Sequence, residues 1–184
     1  MRFFSRGNPK IPPTPAPPQK PAHNDAPPRA AAQTAPLPQA RTMELLEIVF
    51  ENLPVQNAPA LRDALMEKGE CTRCTRSGGE MAQAMKTGQA QCGFFFPHLA
   101  LGAGLDDCYA LFFFLTPGRC EEVSLTFHAP AFTDADTAAQ QAWLAQLRAA
   151  LAEMLTRFAP QRIVFGWEPA HDADRQIFTL VPSS

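Results

Sequence analysis

Cys71-Thr-Arg-Cys74 is the chain's C-x-x-C, and with Cys92 and His98 it spells C-x2-C-x17-C-x5-H. Three thiolates and an imidazole are the ligand types of a structural zinc site. A second C-x-x-C would make the pattern specific, and none is present. Cys92 and His98 also fall in one run that reads as a strand, and six extended residues span about 20 Å. One tetrahedral ion would therefore need the strand to break near Gly93 or Pro97. A redox pair of the thioredoxin kind wants its C-x-x-C after a strand and at a helix start, where the helix dipole favours the thiolate. Here the pair follows a helical pattern and enters a loop. Cys71 and Arg76 stand one residue too close for a cysteine-phosphatase cradle. The plainest role for these cysteines is as small apolar residues.

Three other groupings could do chemistry. Arg73 and Arg76, followed by Ser77, Gly78 and Gly79, offer cations, a hydroxyl and free N–H groups to an anion. The order G-x-x-x-x-G-K-[ST] of a nucleotide-binding loop is absent. Glu168, His171, Asp172 and Asp174 cluster between two strand-like runs. They could hold a divalent ion or act as acid and base, although Asp and His are also ordinary turn residues. Ser124 and His128 share one side of a strand, but no third group orients them for nucleophilic catalysis.

The elements that must position these residues follow from periodicity. Residues 44–53 put Leu46, Ile48 and Phe50 on one side, as a mostly buried strand does. Asn57 can cap a helix with Pro59 in its first turn and Gly69 as its stop. Residues 70–88 read as irregular, with a short helical stretch around 80–86. Three strands are expected at 89–98, 108–116 and 121–129, with turns at Asp106-Asp107 and Pro117-Gly118. A long helix capped by Thr133 or Asp134 aligns Trp143, Leu144, Leu147, Leu151, Met154, Leu155 and Phe158 on one face, and Pro160 ends it. Strands at 162–168 and 176–181 follow. The order β-α-β-β-β-α-β-β predicts an α+β domain. It has a single, mostly antiparallel sheet of about six strands with two helices on one face, compatible with a ferredoxin-like core.

The strands around the phenylalanine clusters break the rule that a sheet covered on one side alternates. Cys108, Ala110, Phe112 and Phe114 point one way, and Tyr109, Leu111, Phe113 and Leu115 point the other. Phe94 and Phe96 likewise oppose Phe95. A buried Phe contributes roughly 1.5–3 kcal/mol, so an apolar second face calls for cover. The cover would be the 70–88 segment, the N-terminal tail, another chain or an apolar ligand. Phe94, Phe96, Phe112, Phe113 and Phe114 are accordingly the expected partner-binding residues.

Charge divides the chain in two. Residues 1–41 hold eleven of the 19 prolines, with six basic side chains against Asp25, whereas residues 42–184 carry 10 basic and 17 acidic side chains. The first part reads as a disordered, basic tail with overlapping P-x-x-P spacings, a tether or docking arm. The second reads as an acidic domain with a net charge of −7 that would repel nucleic-acid phosphates. No run is long and apolar enough to span a bilayer. The first residues lack the apolar stretch of a secretory signal. With five cysteines, an odd number, this points to reduced thiols in a cytoplasm.

The sequence thus predicts a non-enzymatic protein-binding module: an adaptor, chaperone or immunity-like inhibitor that engages itself or another protein through its Phe-rich sheet. No cofactor is required. The rival is a metal- or anion-binding protein or enzyme, holding zinc or using a thiol at Cys71–His98.

Overall fold

A computed structural model describes residues 44–76 and 78–182. The tail expected at 1–41, and Ser77 of the anion-loop reading, lie outside the described residues. The strands are β1 (Leu46–Leu53), β2 (Arg73–Cys74), β3 (Ala90–Leu101), β4 (Ala103–Phe114), β5 (Cys120–His128), β6 (Arg162–Trp167) and β7 (Gln176–Leu180). The helices are α1 (Ala58–Met66), α2 (Gly78–Thr87), α3 (Pro130–Thr133) and α4 (Thr137–Phe158). The strands form one seven-stranded antiparallel sheet in the order β2-β3-β4-β5-β1-β6-β7. β1 and β4 run the same way with β5 between them, and β5 and β6 run the same way with β1 between them. This order is compatible with the expected ferredoxin-like core.

The fold class is as the periodicity predicts, with four differences of detail. The seventh strand is β2, two residues long, inside the segment read as irregular. A two-residue strand is too short to show a period. The β3–β4 turn lies at Gly102, whose φ of 69° suits glycine, and not at Asp106-Asp107. Those aspartates sit within β4 at a register shift against β5, where Asp107 takes a φ of 49°. The long helix begins later than expected: Asp136 caps it by accepting from the Ala139 N–H at 2.9 Å. Asn57 does not cap α1. Its Nδ2 donates instead to the Phe158 carbonyl at 2.8 Å, tying the start of α1 to the end of α4.

All four helices pack on one side of the sheet. Leu61 and Leu65 of α1, Met81 of α2, Phe132 of α3, and Leu147, Leu151 and Phe158 of α4 share a core with Leu46, Ile48, Phe50, Phe94, Phe96, Phe112, Phe114, Val123, Leu125, Phe127, Ile163 and Phe165. Phe94 meets Phe112 edge to face at 5.7 Å and 87°, whereas Phe127 and Phe165 stack at 6.4 Å and 14°.

Candidate functional site

Among the described residues, the opposite side of the sheet carries no helix, and its side chains fall into three rows that the strand register sets. One row runs Arg73, Phe95, Tyr109, Thr126, Glu47, Gly166. The next runs Gly93, Leu111, Ser124, Val49, Val164, Thr179. The third runs Gln91, Phe113, Glu122, Glu51, Arg162. On β4 each row holds an apolar or aromatic residue, Tyr109, Leu111 or Phe113, and on β5, β1 and β6 the rows hold polar, aliphatic or glycine residues.

The β1/β6 half is roofed by residues 168–175. Ala170 is fully buried and closes a small cluster with Val49 and Val164. Its N–H donates to Glu47 Oε2 at 2.8 Å, and the Ser124 hydroxyl donates to Glu47 Oε1 at 2.5 Å. Both carboxylate oxygens of this buried Glu are therefore satisfied, as burial of a charge demands. Glu51 and Glu122 face each other across β1 and β5, an arrangement that repels. His171 reaches back from the roof to sit between them, Nε2 3.0 Å from Glu122 and Nδ1 3.5 Å from Glu51. Arg162 adds a forked bond to Glu51, at 2.6 and 2.7 Å, and this pairing holds the guanidinium in its charged form, above its ordinary range.

Among the described residues, the β3/β4 half has no such roof. Phe95, Tyr109, Leu111 and Phe113 are each half-buried, and Leu115 beyond them is 57% exposed. Tyr109 lies across Gly93, where a β-carbon would collide with its hydroxyl end. Glycine at this position therefore lets the ring lie flat. Beside it is an open cleft of about 650 Å³ lined by Thr75, Arg76, Gln89, Ala90, Gln91, Tyr109, Leu111 and Leu115. Arg73 stacks on Phe95, 4.8 Å from the ring centre.

The structure separates the predicted site residues. Of the five phenylalanines expected to bind a partner, Phe94, Phe96, Phe112 and Phe114 are 0–1% exposed beneath the helices. That corrects their assignment: a side chain already packed in this core has no surface to offer. Phe113 alone of the five lies on the open side. Alternation distinguishes the two sides of a strand, but it does not say which side the helices take. With it on the open side lie Phe95, Tyr109 and Leu111, whose odd numbers group them with Phe113.

Among the described residues, no group of three or more His, Cys, Asp and Glu is placed to hold a metal ion. Cys92 points into the core from β3, whereas exposed His98 pairs with Asp106 at 2.8 Å. Cys71 and Cys74 bond through their thiols to the Arg73 and Arg76 carbonyls. All five cysteines are free. Burial pushes the Cys108 and Cys120 thiols up to about 12 and raises those of Cys71 and Cys92. Arg73 and Arg76 are both exposed at the margin of the open half. His171 bonds within the sheet, and Ser124 is committed to Glu47.

The molecule is thus an α+β domain whose single sheet is helix-covered on one side and partly bare on the other. No helix among the described residues is long and apolar enough to cross a membrane. No family model matches the chain, and no curated protein matches it. In fold it is similar to a chain in the crystal structure of the toxic C-terminal tip of CdiA from Pseudomonas aeruginosa in complex with immune protein. The TM-score is 0.58 at 17% identity, covering 74% of this chain and 94% of that chain. At that identity the likeness is one of fold.

Proposed function

We propose that the acidic domain is a non-enzymatic protein-binding module of the immunity type, and that the bare β3/β4 half of the sheet is its contact face. The observation that carries this reading is the run Phe95, Tyr109, Leu111, Phe113, half-buried and, among the described residues, without a helix over it. Clustered aromatics at a surface are the usual anchors of a protein interface. The likeness in fold to a structure of a toxin tip with its immune protein supports the same reading. The partner's chemistry follows from what borders the patch. Glu122 and Glu51 adjoin Phe113, and residues 42–184 carry a net charge of −7. A basic protein with an apolar centre would be steered onto this face. Arg73 and Arg76 at the far margin would accept its carboxylates. Five free thiols suit a reducing compartment.

Native mass spectrometry of the full chain recovered from its own cells tests the reading. The expected result is a stoichiometric complex with one basic protein, weakened at least about tenfold by Phe113→Asp or Tyr109→Ala once rebuilt from purified components. A complex that both substitutions leave intact, or a bare chain, would overturn it.

A further inference from the structure

The cleft beside Tyr109 differs in chemistry from the domain around it. None of its eight lining residues is acidic, although residues 42–184 carry 17 acidic side chains. It holds donors instead: the Arg76 guanidinium, the Gln89 and Gln91 carboxamides and the Tyr109 hydroxyl. Among the described residues, no carboxylate pairs with Arg76, and the side chains of Gln89, Gln91 and Tyr109 make no hydrogen bond. The other end of the same face is the reverse. There Glu51 and Glu122 already have cationic or imidazole partners in Arg162 and His171.

The backbone fixes this arrangement. Thr75 N–H donates to the Gly93 carbonyl at 2.9 Å, and Gly93 N–H to the Thr75 hydroxyl at 2.7 Å. These bonds fasten the end of β2 to β3, and Arg76, the next residue, forms part of the cleft wall. Tyr109 comes from β4 and lies over Gly93. The two arginines near the face are employed differently. Arg73 stacks on Phe95 and is not part of the cleft lining, whereas Arg76 lines it.

From this we infer that the cleft is the specificity pocket of the contact face, and that its occupant is a single acidic side chain, Asp or Glu, of the partner. The inference rests on the reading of that face given above. The forked guanidinium matches the two oxygens of a carboxylate. The carboxamides and the phenol supply the further donors that a carboxylate leaving water requires. Leu111 and Leu115 offer apolar surface to its methylene groups. A lysine or arginine in the same place would find no counterion. A partner that is basic overall therefore sets an acid at the Arg76 end and its cations at the Glu51 and Glu122 end. Docking the other way round juxtaposes like charges.

Tyr109 is the chain's one tyrosine, so its ring resonance reports on the cleft without a partner present. The first experiment titrates the full chain with capped glutamate, capped glutamine and inorganic phosphate. The expected result is a saturable shift of the Tyr109 ring signal with capped glutamate alone, half-complete in the millimolar range, and lost in Arg76→Gln. Arg76 is exposed, so its replacement leaves the fold in place. No shift, an equal shift with capped glutamine, or a shift with phosphate alone would overturn the inference. The second experiment uses the complex rebuilt from purified components. Arg76→Glu should weaken it at least about tenfold, Arg76→Lys less, and Arg73→Gln least. A complex that Phe113→Asp weakens and Arg76→Glu leaves intact would overturn the pocket and spare the contact face. A complex indifferent to Phe113→Asp, Tyr109→Ala and Arg76→Glu would remove both.

Discussion

The two halves of the sheet's helix-free side are built from the same strands yet end differently. Over β1 and β6 the chain supplies its own cover, and the polar groups beneath have partners: Glu47 has Ser124 and Ala170, Glu51 has Arg162 and His171, and Glu122 has His171. Over β3 and β4 the groups are apolar and half-exposed, and no helix of the described residues lies above them. A polar layer can be completed inside one chain because its bonds saturate. An apolar layer has no such end point, and what it leaves uncovered is available to another molecule. The comparison separates what stabilises this domain from what it presents.

Substitution in the helix-covered core should give the largest effect and sets the scale. Phe94→Ala removes a ring that is 1% exposed and should cost about 3–5 kcal/mol in urea unfolding. Phe113→Ala, one strand over on the open side, should cost about 1 kcal/mol. Equal costs would mean that the open half is covered in solution.

The roof should come next. Glu47→Ala leaves the Ser124 hydroxyl and the Ala170 N–H without their acceptor, a loss of about 1–3 kcal/mol. Amide exchange at Ala170 should quicken while exchange in α4 stays near its wild-type pattern. If Ala170 remains protected, Glu47 is not what holds the roof.

A smaller effect on stability is expected from Gly93→Ala, because a ring can yield where backbone cannot. The new methyl displaces Tyr109 from its flat seat. Partner affinity should fall by about tenfold with less than about 1 kcal/mol of stability lost. The reverse pattern would make Tyr109 a packing residue and narrow the contact face to Leu111 and Phe113.

The smallest effect is electrostatic and lies at the β4–β5 turn. Partial burial of Glu121 works against its charge, but the N–H groups of Leu115 and Thr116, at 2.9 and 3.1 Å, hold its carboxyl below the ordinary range. A depressed folded-state pKa adds stability that is fully present above the ordinary carboxylate pKa and is lost as pH falls through the folded value. Glu121→Gln should therefore lower the unfolding midpoint slightly at neutral pH. The difference from wild type should shrink with acidification below the ordinary carboxylate range. A difference that does not change with pH would remove the carboxylate from the account.

Much of this was legible from residue order alone. Period-two alternation divided Phe112 and Phe114 from Phe113, and helical spacing picked out Trp143, Leu147, Leu151 and Phe158, all of which are buried. The illegible parts depend on partners far along the chain. Glu47 and Ala170 are 123 residues apart, so a run of Pro, Ala, His and Asp reads as a turn until the register brings it over β1. The choice of which phenylalanines face the helices is of the same kind. It is fixed by the parity of Leu46, Ile48 and Phe50 relative to β4 through β5, which no single strand reveals. The Gly102 turn was hidden because apolar residues flank it on both sides.

The roof has one further property. What fastens it is mostly generic: a backbone N–H at Ala170 and an imidazole at His171. Asp172, Ala173 and Asp174 at its tip are exposed. Those three positions can change with little consequence for folding. Across a lineage, that tip is where sequence can drift and length can vary while the sheet beneath stays as it is.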